Sequence, residues 1–377
     1  MKRTFMTVPA VALITVASQA HAQNSVTLYG IIDTSIQYVH NSGGQSTAIS
    51  LVSGNQSGSR WGLKGKEDLG GGLSTIFKLE NGFDSTSGAL GQGGRMFGRQ
   101  AYVGLQDTSW GTLTLGRQYD PLVDLVQPVQ PDEYLGGFFT SPGDIDNADN
   151  SVRVNNAVKW ASPTWGGFNL SAMYSFGGVA GSVGSGQTYS GAFSYATGPV
   201  TLAAGYFHID NGNATLSTRS TTSADSLFSS SVNNAYASAR SINIARAGGN
   251  YVIGSVTLGG YYSFSQYNPD ASSTFKQAEK YNNAAVYAVW NVTPEFQTQI
   301  GYNYTKSSGD SSATRHQVAL AADYLVSKRT DIYGVVAYAH AAGTDGLGQA
   351  QAVIGSSDID AGKSSQALVT VGLRHKF

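Results

Sequence analysis

Alternation of apolar and polar residues is the dominant pattern along this chain, and the C-terminal stretch QALVTVGLRHKF shows it most clearly. Val369 and Val371 share one face there, whereas Thr370 and Arg374 share the other. A period of two with one apolar face is typical of a β-strand that separates two different media. The same alternation recurs at residues 26–37, 73–80 and 152–160. The pattern predicts a chain built mainly from β-strands.

The composition favours a sheet that lies in a membrane. The 377 residues include 47 glycines, 21 tyrosines and 15 phenylalanines, and only 12% of them are charged. Beyond the N-terminal leader, no segment is apolar over the roughly 18 residues that indicate a transmembrane helix. A soluble sandwich would also alternate, but the glycine and aromatic content and a final strand that stops at Phe377 favour a transmembrane β-barrel. We therefore predict an all-β fold whose sheet closes on itself, because backbone polar groups in lipid must all be bonded.

The first 22 residues have the features of a secretory signal peptide. Lys2 and Arg3 precede a short apolar core, and residues 20–22 (Ala-His-Ala) form a small-x-small cleavage site. We expect residues 1–22 to be a signal peptide and residues 23–377 to be one barrel domain. The chain has no cysteine, which excludes disulfides and thiolate metal sites. A net charge of −1 argues against a nucleic-acid partner.

The connections between the predicted strands are of two kinds, as in membrane barrels with turns on one side and loops on the other. At about 20–24 residues per strand and connection, the mature chain has room for roughly 15–18 strands. Short turns are expected at residues 68–72, 107–111, 164–167, 198–199, 293–295 and 327–330. Long polar connections are expected at residues 41–59, 177–188, 210–249, 306–314 and 341–365. The Ser/Asn-rich run 211–243 is typical of a solvated loop, although a recognition site there stays open.

Several segments together resemble the Gram-negative general porins of the β-proteobacterial type. These segments are residues 25–38, 59–84, 97–105, 110–121, 152–160 and 371–377. The resemblance implies a 16-stranded antiparallel barrel with periplasmic termini, a homotrimer, and a third loop that folds into the lumen. It also implies an outer-membrane location and passive diffusion of small hydrophilic solutes and inorganic ions.

A further long connection, residues 119–151, corresponds to the third loop of the porins that the chain resembles, and it is called the acidic loop below. It has no Lys or Arg, and it contains an aromatic pair, Phe138 and Phe139. A loop of this length is usually functional or disordered. The residues alone are compatible with two interpretations, an acidic surface loop or a loop that packs inside the barrel. The resemblance favours the second. The acids of the loop are Asp120, Asp124, Asp132, Glu133, Asp144, Asp146 and Asp149.

The resemblance places a basic cluster on the barrel wall opposite this loop. The alternation along the strands places Arg60, together with Lys64, on the lumen-facing side, and it does the same for Arg153. It does not decide which side Arg99 faces. Strict alternation would put Arg117 on the apolar face, so Arg117 points inward only if the strand bends at Gly116. The expected constriction therefore has the basic wall Arg60, Lys64, Arg99, Arg117 and Arg153, the loop acids Asp120, Asp124, Asp132, Glu133, Asp144 and Asp146, and the further lumen residues Asp33, Lys78, Glu80 and Lys159.

Opposed rows of acids and arginines produce a transverse field across a narrow, water-filled channel, which would filter solutes by size and charge. We expect no enzyme activity, no cofactor and no metal, although a loose cation site among residues 144–149 stays open. Expected partners are outer-membrane lipid, lipopolysaccharide, and the barrel assembly machinery, which would read the terminal strand with His375 and Phe377. The main alternative is a substrate-selective channel; an outer-membrane enzyme and an adhesin are weaker ones.

Overall fold

The computed structural model describes residues 25–210 and 226–377. The predicted signal peptide, residues 1–22, and the first part of the Ser/Asn-rich run, residues 211–225, lie outside the described residues. Within the described part, no helix is long and apolar enough to cross a membrane.

One antiparallel sheet contains all the strands of the described residues. The strands are β1 (Ser25–Ser42), β2 (Gln45–Ser53), β3 (Arg60–Gly70), β4 (Leu73–Gly82), β5 (Gln100–Asp107), β6 (Gly111–Gln118), β7 (Val154–Ala161), β8 (Phe168–Ser175), β9 (Thr188–Thr197), β10 (Val200–Asp210), β11 (Ser241–Ile253), β12 (Val256–Asn268), β13 (Glu279–Asn291), β14 (Phe296–Ser308), β15 (Ser312–Ser327), β16 (Thr330–Asp345), β17 (Gly348–Gln349) and β18 (Ser365–Lys376).

These segments make a closed barrel of 16 strands, which confirms the predicted fold class. Two segments, β2 and β3, pair with successive halves of β1 and act as one strand, interrupted at residues 54–59. The two-residue β17 only extends the hairpin after β16. Each remaining strand pairs with its neighbours in sequence, and β1 pairs with β18 to close the sheet.

The outer surface has the pattern that a membrane requires. Apolar side chains such as Ile36, Leu320 and Val336 alternate with buried, lumen-facing polar ones. Exposed aromatic residues form two girdles, as expected at the two membrane–water interfaces. The girdle near the short turns contains Trp110, Trp165, Phe168, Tyr251, Trp290, Tyr324 and Phe377, and the girdle near the long connections contains Tyr38, Tyr189, Tyr206, Tyr262, Tyr302 and Tyr338.

Two of the predicted long connections are mostly strand. Residues 41–59 contain β2, and residues 306–314 hold only a short turn between β14 and β15. Serine, threonine and alanine hide the alternation in β2, yet Ile49 and Leu51 still form its exposed apolar face. Composition predicted a loop there because the lumen-facing side of a porous barrel is itself polar.

The interior is filled on one side by the acidic loop. Its helices α2 (Pro121–Leu125) and α3 (Asp132–Leu135) and its 3₁₀ turns lie against the inner wall. Leu122, Val126 and Ile145 belong to one buried apolar cluster with the wall, whereas Phe138 and Phe139 belong to a second. The first short helix of the chain, α1 (Gly91–Gly94), follows β4.

A charge placed on the outward face tests the membrane orientation. Val336 is 55% exposed in the middle of the apolar stripe of β16. Val336→Arg should lower the free energy of unfolding by about 2–4 kcal/mol, because an arginine at the bilayer midplane is poorly solvated. Urea unfolding in lipid vesicles, followed by heat-modifiable migration, measures this. His340→Arg, nearer the rim of the same strand, is the control and should change stability by less than half as much; equal effects would contradict the orientation.

Candidate functional site

A cavity of about 700 Å³ lies in the lumen between the acidic loop and the wall. Its lining comes from strands β1 to β4, from the residues just before β5 and β7, and from the acidic loop. Residues 54–58, which interrupt the second barrel strand, and the last loop (residues 346–364) complete it. The charged residues of the lining are Arg60, Lys78, Glu80, Arg99, Asp132, Glu133, Asp149, Arg153 and Asp358.

Three arginines form the basic side of the cavity. Arg60 is the first residue of β3, and Arg99 and Arg153 immediately precede β5 and β7. The ring of Tyr119 lies 5.7 Å from Cζ of Arg99 and 5.9 Å from Cζ of Arg153, so both guanidinium groups have a favourable aromatic neighbour. Guanidinium groups keep their charge at all ordinary pH values. This side of the cavity therefore carries permanent positive charge.

Glu80 is the carboxylate around which this basic side is arranged. Its Oε1 accepts hydrogen bonds from Nε of Arg99 at 2.9 Å and from the hydroxyl of Tyr119 at 2.8 Å. Its Oε2 accepts one from the hydroxyl of Tyr29 at 2.7 Å and lies 3.4 Å from Nζ of Lys78. Like charges this close repel one another, and an opposite charge between them offsets the repulsion. Glu80 therefore holds the cations together as well as lining the cavity.

Carboxylates of the acidic loop face these cations. Glu133 is exposed to the cavity, and Asp132 is fixed by the side chain of Gln127, whose Nε2 donates to its Oδ2 at 2.7 Å. Asp149 Oδ2 accepts a hydrogen bond of 2.5 Å from Ser356 of the last loop. The cavity thus lies between permanent cations on the strands and carboxylates on the loops.

Two acids at the start of the acidic loop do not line the cavity and instead fix the loop. Asp120 caps helix α2 by accepting a 2.8 Å hydrogen bond from the backbone N–H of Leu122. Asp124 binds Nζ of Lys159 in β7 at 2.5 Å. Both carboxylates were expected at the constriction, but the short helix turns them toward the wall.

Two acids near the end of the loop also have internal partners. Asp144 accepts a 2.6 Å hydrogen bond from the hydroxyl of Ser151, and Asp146 accepts hydrogen bonds from Ser141 at 2.6 Å and from Ser263 of the wall. They tie the loop to itself and to β12 rather than face the cavity. Within residues 25–210 and 226–377, no group of three or more His, Cys, Asp or Glu side chains is arranged to hold a metal ion.

Arg117 lies on the inner side because its strand changes register. Gly116 has a φ of +134°, and the pairing of β6 with β7 shifts between Gly116 and Gln118. The guanidinium then donates from Nε to the carbonyl of Gly98 at 2.7 Å and from Nη1 to Oδ1 of Asn155 at 2.7 Å. Neither Arg117 nor the exposed Lys64 is part of the cavity lining.

Comparison with known proteins identifies the family. The sequence from residue 10 to residue 344 matches the Gram-negative porins. The chain belongs to this family. An outer membrane porin of Delftia acidovorans is 30% identical over 98% of this chain and 98% of its own length. An outer membrane porin of Bordetella pertussis is 40% identical, but over 47% of this chain and 48% of its own length.

The solved structures agree with this assignment. The anion-selective porin of Comamonas acidovorans has a TM-score of 0.73 and 25% identity, covering 94% of this chain and all of that one. The chain is thus an outer-membrane porin that forms a channel for passive diffusion. Porins are channels, and the family match assigns no chemical reaction to the chain.

Residues 54–59 interrupt the second strand of this porin, and residues 54–58 line the cavity. The sequence placed them in the connection expected at residues 41–59 but did not predict that they interrupt a strand. Asp33 holds this segment, because its Oδ2 accepts hydrogen bonds from the backbone N–H groups of Gln56 at 2.9 Å and Ser57 at 2.7 Å. The hydroxyl of Tyr333 donates to Oδ1 of Asp33 at 2.6 Å, and Nη1 of Arg374 donates to the hydroxyl of Ser57 at 2.7 Å. Asp33, expected as a lumen residue, therefore acts as an anchor and is fully buried.

The two residues expected to form the assembly signal lie where the porin barrel closes. Phe377 and Gly30 exchange two backbone hydrogen bonds of 3.0 Å. Nδ1 of His375 lies 2.9 Å from the hydroxyl of Thr330 on the neighbouring strand, on the outer face. Both side chains have structural roles here, and their recognition by assembly machinery stays a prediction.

The carboxyl groups on the loops of the porin lose their charge more readily than ordinary ones. Poor solvation among the loops, with the negative charges of Asp149 and Asp360 adding to it, raises the pKa of Asp358 to about 6. The protein around the cavity also leaves Glu133 and Asp149 poorly solvated, and this desolvation raises the pKa of each carboxyl group. In contrast, burial and Arg99 lower the pKa of Arg153 only to about 10, which leaves this guanidinium charged at neutral pH. Lower pH therefore removes negative charge from the cavity and leaves the positive charge.

This difference predicts a pH-dependent selectivity. Between pH 8 and pH 5, protonation of Asp358 should raise the chloride-to-potassium permeability ratio, with a midpoint near pH 6. Reversal potentials in planar bilayers under a KCl gradient measure the ratio. Asp358→Asn removes the titrating group and should flatten the curve around pH 6. A ratio that stays constant from pH 8 to pH 5 in the unmodified porin would contradict the assignment.

Proposed function

We propose that the cavity is the constriction of the porin and that it filters small hydrophilic solutes and inorganic ions by size and charge. The observation that carries this proposal is the pairing of Arg60, Arg99 and Arg153 on one side with Glu133, Asp149 and Asp358 on the other. Fixed charges that surround a solute inside the lumen act on it more strongly than the same charges would in bulk water. Apolar or large solutes gain nothing from this field and are rejected.

We infer that the channel prefers anions. The cations of the strands are permanent, whereas the facing acids have raised pKa values at Asp149, Glu133 and Asp358. Glu80 is already engaged with Arg99 and Lys78, so it offers little free negative charge to a passing ion. The solved porin of Comamonas acidovorans, which is 25% identical, is described as anion-selective.

We further propose that residues 1–22 are removed during export and that residues 23–377 form the mature barrel, inserted by machinery that reads the terminal strand. The family resemblance favours a homotrimer as the working assembly. Exposed side chains such as Leu28, Leu320 and Val371 require apolar surroundings, which outer-membrane lipid, lipopolysaccharide and neighbouring subunits would supply. No catalytic role is part of this proposal.

Removal of one cavity arginine tests the selectivity. Arg60→Ala or Arg153→Ala should lower the chloride-to-potassium permeability ratio about two- to fivefold, since one fixed charge at a few ångströms contributes about 1 kcal/mol even in water. Reversal potentials under a KCl gradient give the ratio.

The matched control is Arg329→Ala, which removes the same charge from a short turn between β15 and β16 outside the cavity. It should leave the permeability ratio unchanged. If both cavity variants keep the unmodified ratio while their barrels are folded, the assigned constriction is wrong.

A further inference from the structure

Residues 226–240, called the clamp segment below, are folded into the barrel. Composition favours a solvated loop here, yet Leu227, Phe228, Val232 and Tyr236 are each at most 1% exposed. All four belong to the same buried cluster as Leu122, Val126 and Ile145 of the acidic loop. Serine and asparagine dominate the segment, but its few apolar residues are the ones that pack. The clamp segment is therefore part of the interior of the channel.

Three aromatic residues hold the clamp segment, namely Tyr267 and Tyr281 of the barrel wall and Phe275 of the connection between β12 and β13. Phe228 packs edge-on against Tyr267 of β12, with ring centroids 5.5 Å apart, and Tyr236 packs against Phe275 at 5.0 Å. The hydroxyl of Tyr281 in β13 donates a 2.8 Å hydrogen bond to the carbonyl of Val232. Apolar contact and a directed hydrogen bond together fix the position of the segment on the wall.

The clamp segment also contacts the tip of the acidic loop. Nδ2 of Asn233 donates to the carbonyl of Gly143 at 3.2 Å and to that of Leu227 at 2.8 Å. Gly143 has a φ of +69°, and a Cβ at this position would lie 3.0 Å from the side chains of Ser230 and Val232. A glycine is required here both by the backbone conformation and by the close approach of the two loops.

On its other side the clamp segment contacts the last loop. The backbone N–H of Ser231 donates to Oδ1 of Asp360 at 2.9 Å. The last loop is bonded directly to the acidic loop as well, because the N–H of Gly143 donates to the carbonyl of Gly355 at 2.9 Å. Ser356 and Asp358, close to these contacts, line the cavity. The clamp segment thus joins the two loops that carry the cavity carboxylates, although it is not itself part of the lining.

We propose that the clamp segment is a positioning element that sets the aperture of the channel by holding the acidic loop and the last loop against each other. This inference rests on the proposed constriction. The carboxylates of both loops keep a fixed distance from the arginines only while the loops cannot move apart. When the clamp is loosened, the loops fluctuate, so that the channel passes larger solutes and its current becomes noisier.

Two variants loosen the clamp without changing the lining of the cavity. Phe228→Ala removes the buried ring that packs on Tyr267. Tyr281→Phe keeps every carbon atom and removes only the hydroxyl that bonds Val232. The matched controls change the same residue types on the outer face. Phe193→Ala removes a ring that is 44% exposed, and Tyr262→Phe removes a hydroxyl that bonds Asn282.

Single-channel recordings in planar bilayers and swelling of proteoliposomes in sugars of graded size measure the aperture. Phe228→Ala should increase open-channel current noise at least twofold and should speed swelling in the larger sugars severalfold. Tyr281→Phe should change both in the same direction by less. Heat-modifiable migration establishes that each variant has a folded barrel, and both control variants should match the unmodified porin.

The outcomes separate the clamp from the constriction. If folded Phe228→Ala and Tyr281→Phe channels match the unmodified porin in noise and size limit, while Arg153→Ala still changes selectivity, the constriction stands and the clamp is wrong. If Arg153→Ala has no effect either, the constriction itself is wrong. Equal changes in Phe193→Ala and Phe228→Ala would also overturn the clamp, because they would indicate a general loosening of the barrel.

Discussion

Closure of the sheet between its first and last strands is the constraint on which the rest of the structure depends. In hydrocarbon an unpaired backbone N–H or C=O is costly, so a spanning sheet cannot have free edges. Gly30 and Phe377 complete the seam, and a Cβ on Gly30 would lie 2.3 Å from Cζ of Phe377. Only a closed sheet has a lumen, and only the lumen gives charged side chains a place away from lipid.

Within the lumen, the position of each loop depends on which part of the inner wall offers it a packing surface. The inner wall of β15 and β16 is lined by small residues, among them Ala319, Ala321 and Ala337, and these leave room for Phe138 and Phe139. The ring of Phe139 lies over Gly301 of β14, where a Cβ would lie 2.7 Å from the ring. Because apolar burial fixes the loop on this side, Asp132, Glu133 and Asp149 face the opposite side, where the cations lie on β3 and β4 and just before β5 and β7.

The strands could be predicted from the sequence because a barrel repeats one signal many times. Alternation, the two kinds of connection and the terminal strand all indicate the same closed sheet, and the family resemblance adds the strand number. Where a residue departs from strict alternation, the prediction weakens. The lumen side of Arg117 depends on the register shift at Gly116, and the interruption at residues 54–59 depends on Asp33, which is 300 residues from its partner Tyr333.

The roles of loop residues were harder to predict, because the composition of a loop does not determine which way each side chain points. The acids of the acidic loop all carry the same charge, yet some cap helices or bind wall residues whereas others face the cavity. Asp120 and Asp149 differ only in what the folded loop brings near them. Residues 226–240 are an extreme case, because four apolar residues among many serines decide where the whole segment lies.

The division of charge between strands and loops explains how selectivity can be both stable and adjustable. Guanidinium groups are weakly hydrated and stay charged when they are partly buried, so arginines on a rigid wall give a constant field. Carboxylates respond to burial by a rise in pKa, and here they lie on loops whose packing sets how buried they are. A change in loop packing therefore alters the negative side of the field and leaves the positive side as it was. In the proposed constriction, the barrel wall fixes the sign of the ion preference, and the loops fix its strength.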